Sequence, residues 1–161
     1  MRPFAPNDVD EASAAWGANC GPAALAAALG VQVADVRRAV SEARGDEWHF
    51  KGYMGLGDMR RAIRRAGART GREGASDEIL SAEGPPKVVL VQWCGSWEAV
   101  PRAAATYRHW IASVVLDGVL VYDVNENDWL TLAEWIENAV PQLMPKRGTG
   151  WRVQWTAEVL R

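Results

Sequence analysis

Apolar positions along the chain follow two periods, and the change from one to the other falls near the middle. From Cys20 to Gly30 almost every position is apolar, in the run Cys-Gly-Pro-Ala-Ala-Leu-Ala-Ala-Ala-Leu-Gly. Asn19 suits an N-cap, Pro22 is tolerated only in a first turn, and Gly30 suits a stop, so this run predicts a helix. Val33, Val36, Ala39, Val40 and Ala43 recur at helical spacing among charged residues, which predicts an amphipathic helix ending near Gly45. Residues 46–57, with three glycines and three aromatics, predict a loop that either lines a groove or packs over the core edge. A third helix follows, capped by Asp58 and ended by Gly67, with Met59, Ala62, Ile63 and Ala66 inward and Arg60, Arg61, Arg64 and Arg65 outward. Residues 1–15 read as an irregular lead-in with a short helical turn at 9–15. Ser76-Asp77-Glu78 opens another short turn, which stops at Gly84-Pro85-Pro86.

Beyond that breaker the pattern becomes that of strands. Lys87 to Trp93 reads as a buried strand, and 94–105 as a connector. Tyr107–Val115 and Val119–Asn125 predict a hairpin around Leu116-Asp117-Gly118. Thr131-Leu132-Ala133-Glu134 is a capping box for a helix that Pro141 ends. Trp151, Val153, Trp155, Ala157 and Val159 alternate with polar residues, which predicts a half-buried last strand antiparallel to the others. Helices first and an antiparallel sheet second make an α+β fold, expected as one domain over 1–161 without internal repeats.

Composition narrows the function. The 161 residues are 48% hydrophobic and 24% charged, enough for a real core. A net charge of −2 gives no electrostatic basis for nucleic-acid binding, and the four helical arginines read as a solvated face. No stretch is long and apolar enough to span a bilayer, and the N-terminal residues lack the apolar core of a signal peptide, so a cytoplasmic protein without a membrane partner is expected. Two cysteines, Cys20 and Cys94, make no disulfide framework. Together with His49 and His109 they match no compact zinc-ligand spacing, so neither metal nor cofactor is expected. Nine tryptophans against two phenylalanines point to an aromatic core or an aromatic-lined groove.

Candidate chemistry centres on Cys20. A thiol at a helix N-terminus lies at the positive end of the helix dipole, which favours thiolate, and the free N–H groups there can hold an oxyanion. Cys20 reads either as a small buried hydrophobe or as a nucleophile, and the second reading needs a histidine. His49 lies in the aromatic loop. His109 lies on a strand, the firmer platform for a base. Hairpin parity supplies a condition. With a three-residue loop and Gly118 left-handed, Val115 pairs with Val119, His109 falls opposite Asn125, and Asp123 sits one diagonal step away on the same face. With a two-residue loop, His109 faces away from both. Cys94 reads as a packing residue, since no helix start follows it.

These residues carry a resemblance. The order Asn-Cys-Gly-Pro-Ala opening a helix, His109-Trp110 with β-branched residues after it, Val119-Leu120-Val121-Tyr122-Asp123, and a Thr-Leu-x-Glu-Trp helix start resembles the bacteriocin-processing (double-glycine leader) peptidases. That family belongs to the papain-like cysteine peptidases, and the similarity covers about residues 16–137. It implies a papain-like fold with N-terminal helices packed on an antiparallel sheet. It also implies Cys20 as nucleophile, His109 as general base and then acid, and Asp123 as the orienting residue, with Asn125 the alternative third member. The family's glutamine, six residues before the cysteine and donating to the oxyanion, is replaced by Ala14. Such a donor is worth roughly 10²–10³ in rate, and Asn19, Gln92 or backbone N–H groups are the candidates to take its place.

The expected function is therefore a cysteine peptidase or amide hydrolase working through a thioester acyl-enzyme on a peptide or protein substrate. A deamidase or acyl transferase would share that intermediate. The contrasting expectation, prompted by Ala14, is an inactive or weakly active interaction module on the same scaffold.

Overall fold

A computed structural model describes residues 2–45 and 50–161. Strands β1 (Arg69–Gly74), β2 (Lys87–Gly95), β3 (Arg108–Val115), β4 (Val119–Asp123), β5 (Asp128–Thr131) and β6 (Gly148–Leu160) form one sheet, ordered β1-β6-β2-β3-β4-β5. Every adjacent pair is antiparallel. With helices packed on it, the fold is α+β. Among the described residues, no helix is long and apolar enough to cross a membrane.

One face of the sheet carries α1 (Val9–Ser13), α2 (Cys20–Leu29), α3 (Val33–Ala43) and α4 (Leu56–Arg65), which share a core with Val88, Leu90, Trp110 and Trp155. The other face buries Val89, Val91, Trp93 and Ile111 under α5 (Glu78–Ser81), α7 (Leu132–Glu134), a π-helical turn (Trp135–Ala139) and α8 (Val140–Leu143). Burial on both faces is why β2 reads as a continuous apolar run. Helix α2 lies between the sheet and α3, with every residue after Cys20 buried, so it has no polar stripe. Gly30 ends it in the left-handed conformation at φ 60°, and α3 spans Val33–Ala43. The outward arginines of α4 meet carboxylates: Arg60 with Glu73, Arg61 with Asp58 and Arg65 with Glu42.

Several boundaries differ from the sequence reading. Helix α4 starts at Leu56, and Asp58 sits in its first turn, accepting the Gly55 N–H at 2.9 Å. Strands β1 and β5 and helix α6 (Pro101–Thr106) were not expected. Both strands are short sheet edges, and neither has a clear apolar alternation. The Thr131 capping box forms, but the helix passes through a π turn and Pro141 falls inside α8, so it runs on to Leu143. Strand β4 ends at Asp123 rather than at Asn125.

The last strand holds the largest difference. A bulge in β6 at Gln154 leaves Leu90 paired with Trp155 but Val91 with Val153. The extra residue inverts the alternation. Trp155, Ala157 and Val159 join the helix-covered core, while Val153 and Trp151 pack into the opposite one. Both faces are covered, so Thr156 is fully buried and the strand is not half-exposed.

Candidate active site

Three elements meet at the end of the sheet where β2 and β4 finish and β3 begins. Helix α2 delivers Cys20 as its first residue, and the residue is half-buried. The expected side-chain cap by Asn19 does not form; its Nδ2 donates instead to Ser13 Oγ at 3.3 Å. The reason lies in the first turn. Pro22 has no N–H to offer, the Gly21 N–H is directed at the Cys20 sulfur, and the Ala23 N–H bonds the Asn19 carbonyl at 3.0 Å. The second and third helical positions, the ones a cap side chain reaches, thus offer no free donor to the Asn19 oxygen.

Strands β3 and β4 supply the next two groups. The three-residue loop forms: Val115 pairs with Val119 and Ala112 with Tyr122, and Gly118 takes φ 144° rather than the left-handed helical value. This register places His109 and Asp123 on one face. His109 Nε2 lies 3.0 and 2.9 Å from the two Asp123 oxygens. The ring's other nitrogen, Nδ1, is not used by Asp123, and the Cys20 thiol lies near enough to His109 for each to shift the other's titration. The backbone N–H of Trp110 also reaches the sulfur. The Trp93 ring stacks at 6.2 Å on His109, which is 8% exposed.

Asp123 is fully buried and surrounded by donors. Trp135 Nε1 reaches Oδ2 at 2.9 Å, and the Asn125 backbone N and Nδ2 reach Oδ1 at 3.0 Å each. Asn125 therefore holds the carboxylate rather than serving as third member itself. The part played by Trp135 was missed in sequence. The Thr-Leu-x-Glu-Trp start marked its helix, but the reach of its indole depends on the π turn.

Electrostatics follow from this chain of contacts. Burial opposes charge on all three groups, and their mutual bonds outweigh it. Burial alone would raise the Cys20 thiol, yet the His109 hydrogen bond and charge bring it below its usual value. Burial would lower His109, but Asp123 and then Cys20 raise it to about 10. Burial would raise Asp123, and His109, Trp135 and Asn125 hold it below the ordinary carboxylate range. Both shifts favour the thiolate–imidazolium form of the pair over the neutral one. Cys94 goes the other way, pushed up by burial and by the nearby Glu98.

The remaining candidates do not converge on the thiol. Gln92 is 2% exposed, and its Nε2 is within hydrogen-bonding distance of the Trp93, Ala104 and Tyr107 carbonyls at 2.9–3.1 Å. It pins the β2–α6–β3 connection and is not an oxyanion donor. Ala14 lies exposed at the end of α1. Among the described residues, the N–H groups of Cys20 and Gly21 enter no backbone pairing, and that of Gly21 is turned toward the Cys20 sulfur. His49 lies outside the described residues. Among those described, no cluster of three or more His, Cys, Asp or Glu suits a metal ion.

A cleft of about 560 Å³ opens beside Cys20, walled on one side by the segment through Tyr53, Met54 and Gly55. This wall is clamped to the chain that enters α2, where the Ala18 N–H bonds the Lys51 carbonyl at 2.9 Å, and to β3, where Trp110 Nε1 bonds the Met54 carbonyl at 2.9 Å. No family model, curated protein or solved structure matches this chain.

Proposed function

We propose that this chain is a cysteine-dependent amide hydrolase of papain-like architecture, a peptidase or a close chemical relative. The observation that carries this reading is the buried His109–Asp123 pair, Nε2 to Oδ2 at 2.9 Å, set beside the Cys20 thiol at the mouth of a cleft. A lone buried cysteine needs no imidazole, and an imidazole on a surface needs no buried carboxylate.

The steps follow from the groups present. The Cys20 thiolate attacks the amide carbonyl carbon, forming a C–S bond and moving the carbonyl electron pair to oxygen. The N–H groups of Cys20 and Gly21, at the positive end of α2, receive that oxyanion. The His109 imidazolium gives its proton to the leaving nitrogen as the C–N bond breaks, which leaves a thioester. Neutral His109 then takes a proton from water, whose oxygen attacks the thioester. Collapse releases the acid and restores thiolate and imidazolium. Asp123 keeps the ring in orientation throughout. An amine in place of water would make the same site a transferase, and a glutamine side chain as the amide would make it a deamidase.

Labelling by an epoxide-warhead probe tests the reading. Cys20 is expected to label rapidly at neutral pH, and His109→Ala is expected to lose most of that labelling. Equal labelling of both proteins would remove the dyad. A non-catalytic interaction module, which Ala14 favours, predicts ordinary thiol reactivity at Cys20 and an unchanged biological effect of Cys20→Ser.

A further inference from the structure

The cleft beside Cys20 has an unbalanced charge. It is lined by Arg44, Tyr53, Met54 and Asp58 on one side and by Thr106 and Arg108 on another. Asp58 is already engaged, with one oxygen on the Gly55 N–H at 2.9 Å and the other on Arg61 at 2.6 Å. The two arginines are not. Arg44 makes one bond, from Nη1 to the Tyr53 carbonyl at 3.2 Å, and Arg108 makes one long bond, from Nε to Gln92 Oε1 at 3.4 Å. Among the described residues neither guanidinium meets a carboxylate, whereas Arg2, Arg60, Arg61, Arg65 and Arg72 each do. The one acid in the lining, Asp58, is taken by Gly55 and Arg61, and both arginines that line the cleft are, among the described residues, without a carboxylate partner. Each keeps most of its donors for a ligand, and a guanidinium fork matches a carboxylate geometrically.

We infer that the cleft takes an amide substrate bearing a carboxylate within a residue or two of the scissile bond, held by Arg44 and Arg108. The inference rests on the reading of Cys20 as a nucleophile and adds the substrate's charge to it. The carboxylate is either an acidic side chain or the free end of a peptide, and the two sources present the same fork-binding group.

A set of N-chloroacetyl amino acids separates these cases, because the Cys20 thiolate displaces chloride from each by the same step: a C–S bond forms as the C–Cl bond breaks. The glutamate amide and the glutamine free acid carry one carboxylate from each source, the glutamine amide is neutral, and the lysine amide is cationic. At low salt, alkylation of Cys20 is expected to be about tenfold faster with an acidic member than with the lysine amide. The faster of the two acids identifies the source. The ratio is expected to shrink in about 1 M salt and to reverse in the Arg44→Glu/Arg108→Glu double variant. Arg44→Gln and Arg108→Gln, each on an exposed side chain, serve if the double variant does not fold, and each is expected to lower the ratio severalfold. Equal rates across the set overturn the inference while leaving the nucleophile standing. A preference for acids unchanged in every arginine variant overturns it too, since the field then comes from the His109 imidazolium. Failure of the neutral glutamine amide to outrun a free thiol would instead sink the nucleophile itself.

Discussion

His109 shows how much one side chain takes from its neighbours. Buried alone it would be neutral, since desolvation lowers an imidazole's pKa. Between Asp123 and Cys20 its pKa stands near 10. The sign of the pH dependence follows. The reactive form is the thiolate–imidazolium pair, so alkylation of Cys20 by iodoacetamide should turn on below the ordinary thiol range of about 8.5. Cys94, whose pKa is raised, is the internal comparison and should react only as pH rises past that range. Asp123→Asn removes the carboxylate that raises His109. The imidazolium then persists over a narrower range, and the Cys20 profile should move upward by a unit or more. Peptide mapping of the alkylated protein across pH reads both cysteines at once. An unshifted profile in Asp123→Asn would mean that the carboxylate does not govern the pair.

At the scale of elements, the site depends on how two loops fit. Gly52 adopts φ 80°, and a Cβ built there would lie 1.4 Å from the Ala18 carbonyl oxygen. No side chain can occupy that space without parting the cleft wall from the entry to α2. Gly52→Ala is therefore expected to cost about 1–3 kcal/mol and to slow probe labelling of Cys20 by tenfold or more. Thermal unfolding and labelling rates, measured on the same preparation, check both halves. Elements of this kind also set how far the site was legible. Cys20 could be read because Asn-Cys-Gly-Pro marks a helix start whatever lies around it. His109 and Asp123 could be read because a three-residue hairpin loop fixes parity over the whole ladder. Gln92 was misread because its partners are carbonyls of a helix, α6, that the connector's composition did not announce. Trp135 was missed because the reach of an indole depends on a π turn, which has no side-chain signature.

Across the whole molecule, the order of layers was legible and the edges of the sheet were not. Apolar periodicity reports burial, so α2, α3, α4 and β2 stood out. Edge strands need bury little, and β1, with Arg69, Arg72 and Glu73 among its six residues, carries almost no apolar signal. The alternation along β6 was read as one face when it serves two. Gln154 works as a phase shifter between the aromatic cluster behind the reactive pair and the core that supports α2. Deleting it would leave Leu90 opposite Trp155 and Val91 opposite Val153 in an unbroken ladder, so each cluster keeps its residues and only the local bend is lost. Deletion of Arg152, in the regular stretch, instead turns Val153 or Trp151 out of its cluster; loss of cooperative unfolding is expected there, with Trp fluorescence and circular dichroism no longer melting together, while the Gln154 deletion keeps a single transition. The two halves of the molecule thus share a single residue of slack, which the strand can give up, whereas a change of length anywhere else in it is felt on both sides of the sheet at once.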